Sequence, residues 1–262
     1  MITRRIAGST VAHFDETRFR TAGRLHWLHS ASTATDVLLT VHPKRGVKAM
    51  DAAGVLPTFT GVAVGDAWAP YDTYTGATHS LCNAHALREL LYVTDTAPQA
   101  ITDHATQAIN AINAINAIMK IKEIVAEGHH NSRHDQDVLT TALSQQQHLL
   151  RSAIVNAKTA TTDRATPLQR TYNALFTRLI LRWDDYQRFT INPAVPLDNN
   201  PAEQTIRMPK LRIKVSGCLR TLTGAQEFAA IHTYTTTAIR HNHNMLNALI
   251  QAADHNPWIP AT

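Results

Sequence analysis

Three acidic residues stand at positions that suit metal chemistry, although they lie far apart in the chain. Asp15 falls within an alternating run, Asp66 ends a short apolar run, and Glu203 begins a stretch of helical character. Hard divalent ions such as Mg²⁺ prefer oxygen ligands and keep several waters, and carboxylates from separate elements therefore suffice to hold them. Each acid also has an ordinary explanation: solubility of an edge strand for Asp15, a strand-end turn for Asp66 and a helix cap for Glu203.

The segment VPLDNNPAEQTIRMPK (195–210) predicts the start of a helix. Asn200 suits the N-cap, Pro201 the first helical position and Glu203 the third, from which a carboxylate reaches back to the cap. The alternative is that Glu203 is a metal ligand on a helix whose next turns carry cations. From this segment alone, the cap is the favoured interpretation.

Basic residues follow Glu203 without an intervening acid. No Asp or Glu occurs from Gln204 to Gln226, and the cations of this stretch are Arg207, Lys210, Arg212, Lys214 and Arg220. Such residues bind the phosphates of a polyanion if they lie near the acids, and otherwise form a solvated basic face.

The composition is that of a globular protein with a mild preference for anionic partners. Of the 262 residues, 44% are hydrophobic and 17% charged, and Lys and Arg outnumber Asp and Glu by 25 to 20. Two cysteines, Cys82 and Cys218, are too few for a disulfide framework. No apolar run is long enough for a membrane span, and acids interrupt the N-terminus before a signal-peptide core can form. We therefore expect a soluble protein of a reducing compartment, the cytoplasm, with no membrane partner.

A second candidate metal site involves His79, Cys82 and His85, whose spacing resembles that of zinc ligands. No second ligand pair stands at a matching distance, and we expect Cys82 instead to pack inside a strand-to-helix turn. Ser80 lies beside these histidines but lacks the surroundings of a nucleophile elbow, and we reject a nucleophilic role for it.

The first third of the chain predicts the strands that would carry Asp15 and Asp66. STVAHFDETRF, RLHWLHSAS and TDVLLTVHP indicate a three-strand meander in which Asp15 and Glu16 point to opposite faces. GVKAMDAAGVL predicts a helix, and GVAVGDAW a strand buried on both faces that ends at Asp66. HSLCNAHALRELLYV predicts a further strand running into a helix. These elements make a mixed sheet with a crossover.

The region from about 100 to 190 has the three- and four-residue spacing of helices. Within it, INAINAINAI (109–118) repeats a tripeptide, and a period of three slips by about 60° per repeat on a helix. The isoleucines should therefore spiral around the helix, and we assign the repeat no chemistry. The last part of the chain predicts two more helices.

The order of strand acid, strand-end acid and late helix acid suits a two-metal site on a ribonuclease-H-like sheet. We accordingly expect an α/β fold: a ribonuclease-H-like mixed sheet with a largely helical insertion and a helical C-terminus. The predicted catalytic core comprises residues 1–98 and 196–262, and the predicted helical insertion comprises residues 99–195.

Six segments, in order, resemble successive blocks of the catalytic region of insertion-sequence transposases of the sixty-six family. They are HFDET, RLHWLHSAS, VHPKRGVKAMDAAGVLPTFTGVAVGDAWAPY, HSLCNAHALREL, VPLDNNPAEQTIRM and GAQEFAAIHTYTTTA. The resemblance covers roughly residues 11–97 and 195–260, whereas 99–185 is dissimilar. Agreement in this order is specific to the family.

By this resemblance, the acidic triad of the family falls on Asp15, Asp66 and Glu203, which would be both catalytic residues and metal ligands. The implied reaction is attack of water, and then of a DNA 3′-hydroxyl, on a backbone phosphodiester, with two Mg²⁺ ions about 3.5–4 Å apart. Mn²⁺ should substitute for Mg²⁺. DNA is the implied partner, as element ends and as target, and a homo-oligomer on DNA is left open.

The chain departs from the family pattern in three respects. Gly65 stands where the family usually has histidine, and Gln204 where it usually has arginine. The chain also begins almost at the first catalytic strand, and we expect a truncated form without the family's DNA-recognition elements. Two alternatives follow: a catalytically silent remnant of the same fold, and a basic DNA-binding module that does not cleave.

Overall fold

The computed structural model describes residues 1–127 and 133–260. It divides into two compact units, one formed by Met1–Leu81 with Asn199–Thr262 and the other by Cys82–Asp198. The α-helices are α1 (Ile2–Ala7), α2 (Val47–Ala53), α3 (Asn83–Thr96), α4 (Gln99–Glu127), α5 (Arg133–Ala160), α6 (Pro167–Leu181), α7 (Trp183–Gln187), α8 (Asn200–Ser216), α9 (Leu222–Arg240) and α10 (Met245–Ala253). The helix α3 belongs to the second unit.

The first unit contains a five-stranded mixed sheet. Its strands are β1 (Val11–Thr21), β2 (Arg24–Ser32), β3 (Val37–His42), β4 (Val62–Gly65) and β5 (Thr78–Leu81), in the spatial order β3-β2-β1-β4-β5. The pairs β1–β2 and β2–β3 are antiparallel, and β1–β4 and β4–β5 are parallel. The predicted meander, the crossover and the following strand and helix are therefore confirmed. The strand β4 was predicted to end at Asp66 and ends one residue earlier, at Gly65. The short helix α1 was not predicted.

Hydrophobic side chains cover both faces of this sheet, because neighbouring residues of β1 point in opposite directions. On one face, Phe14 packs with Phe59 and with residues of α1 and α2. On the other, Phe19 packs with Ile206 of α8 and stacks on Phe228 of α9. Burying a side chain of this size stabilises a fold by roughly 1.5–3 kcal/mol, and both helical layers are therefore held firmly to β1.

The strand β3 lies at the edge of the sheet, and threonines of α9 form hydrogen bonds with its outward-facing backbone groups. The N–H groups of Leu39 and Val37 donate to the hydroxyls of Thr233 and Thr237 at 2.8 and 3.1 Å. The same hydroxyls donate back to the carbonyls of Leu39 and Val37 at 3.4 and 3.2 Å. Four helical residues rise about 6 Å and two strand residues span about 6.7 Å, and the two repeats therefore match closely enough for both threonines to bond.

Over its described residues, the regular elements of the second unit are all helices, as the spacing predicted. In α4, the buried residues Ile101, Ala105, Ala108, Ile112 and Ile115 alternate at spacings of four and three. This is the heptad pattern of packed helices, and α4 packs against α3 and α5. Of the repeat, Ile112 and Ile115 lie in this seam, whereas Ile109 and Ile118 are only partly buried, and the isoleucines therefore do spiral around the helix.

Candidate active site

Asp15 lies on β1, and Asp66 directly follows the end of the neighbouring parallel strand β4. The register of β1 and β4 pairs His13 with Val64, and Asp15 and Asp66 each follow two residues later. In a parallel pair, equivalent positions lie side by side across the strand spacing of about 4.8 Å. The sheet therefore brings together two acids that are 51 positions apart in the chain.

Helix α8 begins beside the same part of β1, because the side chain of Asn199 bonds to that strand. Its Nδ2 donates to the carbonyl of Phe14 at 2.8 Å, and its Oδ1 lies 2.9 Å from Nδ1 of His13. Asn199 is 1% exposed, and both contacts are buried. Glu203 follows one helical turn later, and its N–H donates to the carbonyl of Asn199 at 3.2 Å.

The predicted capping box is wrong. The N-cap residue is Asn199, not Asn200, and Asn199 forms no side-chain capping bond because its amide is used by β1. Glu203 therefore does not stand at the third helical position. Pro201 does fall in the first turn, where its missing N–H costs little.

The charge of Asp15 is affected by the other two acids. Burial raises the pKa of Asp15 to about 7, with further contributions from the charges of Glu16, Asp66 and Glu203. The N–H of Glu16 donates to Asp15 Oδ1 at 2.8 Å and opposes this rise. Close carboxylates disfavour one another's ionisation. Burial is the main cause of the raised pKa, and Asp66 and Glu203 lie near enough to Asp15 to add to it.

Asp66 also has a local role. Its Oδ1 accepts the backbone N–H of Trp68 at 3.0 Å, which closes the turn after β4. The strand-end interpretation from the sequence is thus correct, and it does not compete with ligation because a carboxylate has further lone pairs.

Glu16 lies on the opposite face of β1, as the alternation predicted. Its Oε2 accepts the hydroxyl of Tyr71 at 2.7 Å, and Oε1 accepts Nε and Nη2 of Arg45 at 2.9 and 2.7 Å. Burial raises the pKa of Glu16, and these bonds oppose that rise. This network was missed in the sequence, where only the adjacency of Asp15 and Glu16 pointed to it.

Among residues 1–127 and 133–260, no group of three or more His, Cys, Asp or Glu side chains is arranged to hold a metal ion. This applies to the three acids as they stand and to the zinc alternative at His79, Cys82 and His85. Cys82 is buried. Over the same residues, no helix has the length and apolarity that crossing a membrane requires.

The basic stretch after Glu203 separates into exposed and packed cations. Arg207, Lys210 and Lys214 are exposed on α8, and Arg220 is exposed beyond its end. Their spacing within α8 places the first three along one side of the helix. Arg212 is instead half-buried, with its guanidinium carbon 5.1 Å from the ring centre of Phe228.

Comparison with known families gives one match. The model of a family described as "Transposase IS66 family" matches residues 1–227, which include all three acids and the whole of α8. No curated protein and no solved structure matches the chain.

Proposed function

Because the chain belongs to the IS66 family of transposases, we propose that it cleaves DNA strands and transfers them with the help of divalent metal ions. The proposed catalytic residues and metal ligands are Asp15, Asp66 and Glu203. Residues 1–98 and 196–262 would form a ribonuclease-H-like core, and 99–195 a helical insertion.

The observation that carries this proposal is the convergence of three elements on one part of the sheet. The parallel register of β1 and β4 pairs His13 with Val64, two residues before Asp15 and Asp66, and the bonds of Asn199 to β1 bring the first turn of α8, with Glu203, to the same strand. If each acid had only a structural role of its own, these three elements would not need to lie together.

The donor set fits a hard divalent ion. All three ligands are carboxylates, and their mutual repulsion at Asp15, which adds to the effect of burial, is relieved by a cation placed among them. Two Mg²⁺ ions, or Mn²⁺ in their place, would supply activation of the attacking oxygen and stabilisation of the leaving oxygen. Asp15, Asp66 and Glu203 would be the residues that hold these ions.

The exposed cations of α8 suit the phosphates of the DNA substrate. Arg207, Lys210 and Lys214 follow Glu203 on the same helix, and a DNA backbone along that side would have phosphates close to the acids. Such contacts position DNA but do not read its sequence. Arg220 would extend the same surface, and Arg212 would support it by packing on Phe228.

The test is nicking of supercoiled plasmid by the full chain in Mg²⁺. Wild type should nick, and Asp66→Asn and Glu203→Gln should lose the activity because each removes a ligand charge without changing side-chain size. Glu227→Gln is the matched control, since Glu227 is exposed on α9. Nicking by Asp66→Asn at the wild-type rate, or by wild type in EDTA, would contradict the proposal.

A second candidate is a family member that binds DNA without cleaving it. It is favoured by the absence, among the described residues, of acids already arranged as a metal cluster. Such a chain would bind plasmid with the same dependence on the α8 cations but would leave it supercoiled in Mg²⁺ and in Mn²⁺.

A further inference from the structure

The sheet face opposite α8 carries a row of cations. The row lies beyond the part of this face that is covered by the hydrophobic layer around Phe14. Glu16, Arg18 and Arg20 are alternate residues of β1 and therefore share this face. Glu16 is buried, whereas Arg18 and Arg20 are both exposed. Across β2, the register sets Trp27 opposite Arg18.

Arg45 joins this row from the segment between β3 and α2, and its guanidinium is held rigidly. Nε and Nη2 both donate to Oε1 of Glu16, whose side chain is 1% exposed. The guanidinium carbon lies 3.9 Å from the ring centre of Trp68 and 4.9 Å from that of Trp27. The Arg45 side chain is nevertheless 38% exposed, and the outer edge of its fork therefore faces solvent.

The structure ties this arginine to the proposed active site. Trp68, against which Arg45 stacks, donates its backbone N–H to Asp66 Oδ1 at 3.0 Å. Tyr71, in the same loop, holds the other oxygen of Glu16 at 2.7 Å. The loop after β4 thus contacts both the Arg45 side chain and the proposed ligand Asp66. The Arg45 side chain lies on the face of the sheet that the sequence did not associate with DNA.

The ordinary explanation is that Glu16 and Arg45 form a buried ion pair that anchors α2. That pair alone does not account for exposed arginines at the two following outward positions of β1, or for a half-buried tryptophan between them and Arg45. A planar guanidinium held by a carboxylate on one edge and by rings on its faces presents its other edge in a fixed geometry. That geometry suits a phosphate, and loses little side-chain entropy on binding.

We propose that Arg18, Arg20 and Arg45, here called the β1 arginine face, bind backbone phosphates of the DNA strand that leads to Asp66. This inference rests on the proposed function, since it takes DNA as the substrate. The strand would run over the end of the β1–β2 hairpin, with Trp27 contacting a sugar or base beside the phosphates. The α8 cations would hold DNA from the other side of the sheet.

The experiment measures binding of a short fluorescent duplex with a single-stranded extension, by anisotropy, over a range of salt and with Ca²⁺ in place of Mg²⁺. Arg18→Gln/Arg20→Gln should bind more weakly and should lower the salt slope by about two units, because two phosphate contacts are lost. Lys120→Gln/Lys122→Gln in α4 is the control with the same change of charge, and its slope should equal that of wild type.

Arg45→Lys separates geometry from charge. It keeps the positive charge but loses the two bonds to Glu16 and the flat stacking surface, and we expect weaker binding with a nearly unchanged salt slope. Circular dichroism reports whether this variant folds. If Arg45→Lys does not fold, the Arg18→Gln/Arg20→Gln variant still tests the inference, because both of these arginines are exposed.

Binding of Arg18→Gln/Arg20→Gln indistinguishable from that of the Lys120 and Lys122 control would overturn the inference. That result would leave the proposed function intact, because plasmid nicking and its loss in Asp66→Asn are measured separately. Conversely, loss of binding in the arginine pair together with normal nicking by Asp66→Asn would support a DNA-binding face while contradicting the proposed catalytic residues.

Discussion

Asn199 and His13 are 186 residues apart in the chain, and their side chains meet at 2.9 Å in the buried interface between α8 and β1. The amide nitrogen of Asn199 donates to the Phe14 carbonyl, and its oxygen is therefore the acceptor for a proton on His13 Nδ1. This contact sets where α8 begins relative to β1. It also sets how near Glu203 lies to Asp15.

Asn199→Ala should destabilise the first unit by about 1–3 kcal/mol, because the Phe14 carbonyl and His13 Nδ1 lose a buried partner. Urea unfolding followed by circular dichroism measures the change. Asn200→Ala is the matched control, since Asn200 is exposed at the next position and should change stability by less than about 0.5 kcal/mol. Equal effects of the two substitutions would show that the bonds to β1 are not what matters.

Asp15 should make the folded chain less stable as pH rises. Burial, with smaller contributions from neighbouring acids, raises its pKa from 3.8 to about 7. The folded chain therefore binds this proton more tightly than the unfolded chain, and between about pH 4 and pH 7 the free energy of unfolding falls. Asp15→Asn removes the effect and should gain up to about 4 kcal/mol over wild type above that range, since one pKa unit corresponds to about 1.36 kcal/mol.

The measurement for Asp15 is urea unfolding at about pH 5 and about pH 8. Asp163→Asn, at an exposed position of the helical unit, should keep the pH dependence of wild type. Addition of Mg²⁺ near pH 8 should stabilise wild type and leave Asp15→Asn unchanged. If the stability of Asp15→Asn responds to pH and to Mg²⁺ as that of wild type does, Asp15 is neither the source of the pH dependence nor a metal ligand.

Thr233→Val should destabilise the sheet edge by about 1–3 kcal/mol, since valine has the same shape but leaves the Leu39 N–H without its partner. Thermal unfolding measures the loss, and light scattering reports the self-association expected of an uncovered edge strand. Thr235→Val is the control, because the Thr235 hydroxyl bonds within its own helix, to the carbonyl of Ile231 at 2.9 Å. Similar losses in both variants would argue against an edge-sealing role.

Arg207→Ala and Lys210→Ala should each lower the salt slope of DNA binding by about one unit, because each removes one phosphate contact. Arg212→Ala should leave that slope unchanged and instead cost about 0.5–1 kcal/mol of stability through loss of its contact with Phe228. Salt titrations of anisotropy and urea unfolding separate the two effects. A salt slope that changes in Arg212→Ala, but not in Arg207→Ala or Lys210→Ala, would show that Arg212 is the residue that contacts phosphate.

The local pattern of the chain was sufficient for the elements that carry the site. The alternation of β1 indicated that Asp15 and Glu16 face opposite ways, and Glu16 does pack with Tyr71 on the face of Phe14. The apolar run before Asp66 predicted a strand ending at that acid, and β4 ends one residue earlier, where the turn to Trp68 holds Asp66. These features were predictable because strand periodicity and turn chemistry depend on neighbouring residues alone.

The sequence by itself determined the strands and the helix that carry Asp15, Asp66 and Glu203, and family resemblance predicts that these acids act together. Only the tertiary structure decided that Asn199 bonds to β1 instead of capping α8, and that Arg45 is held between Glu16 and two tryptophans. Both arrangements bring together groups from distant segments of the chain. A polar group that the fold buries away from water needs a hydrogen-bond partner, and this requirement decides which partner a side chain takes. Helix signals near residue 200 could not show that the Phe14 carbonyl, 185 residues earlier, would be that partner.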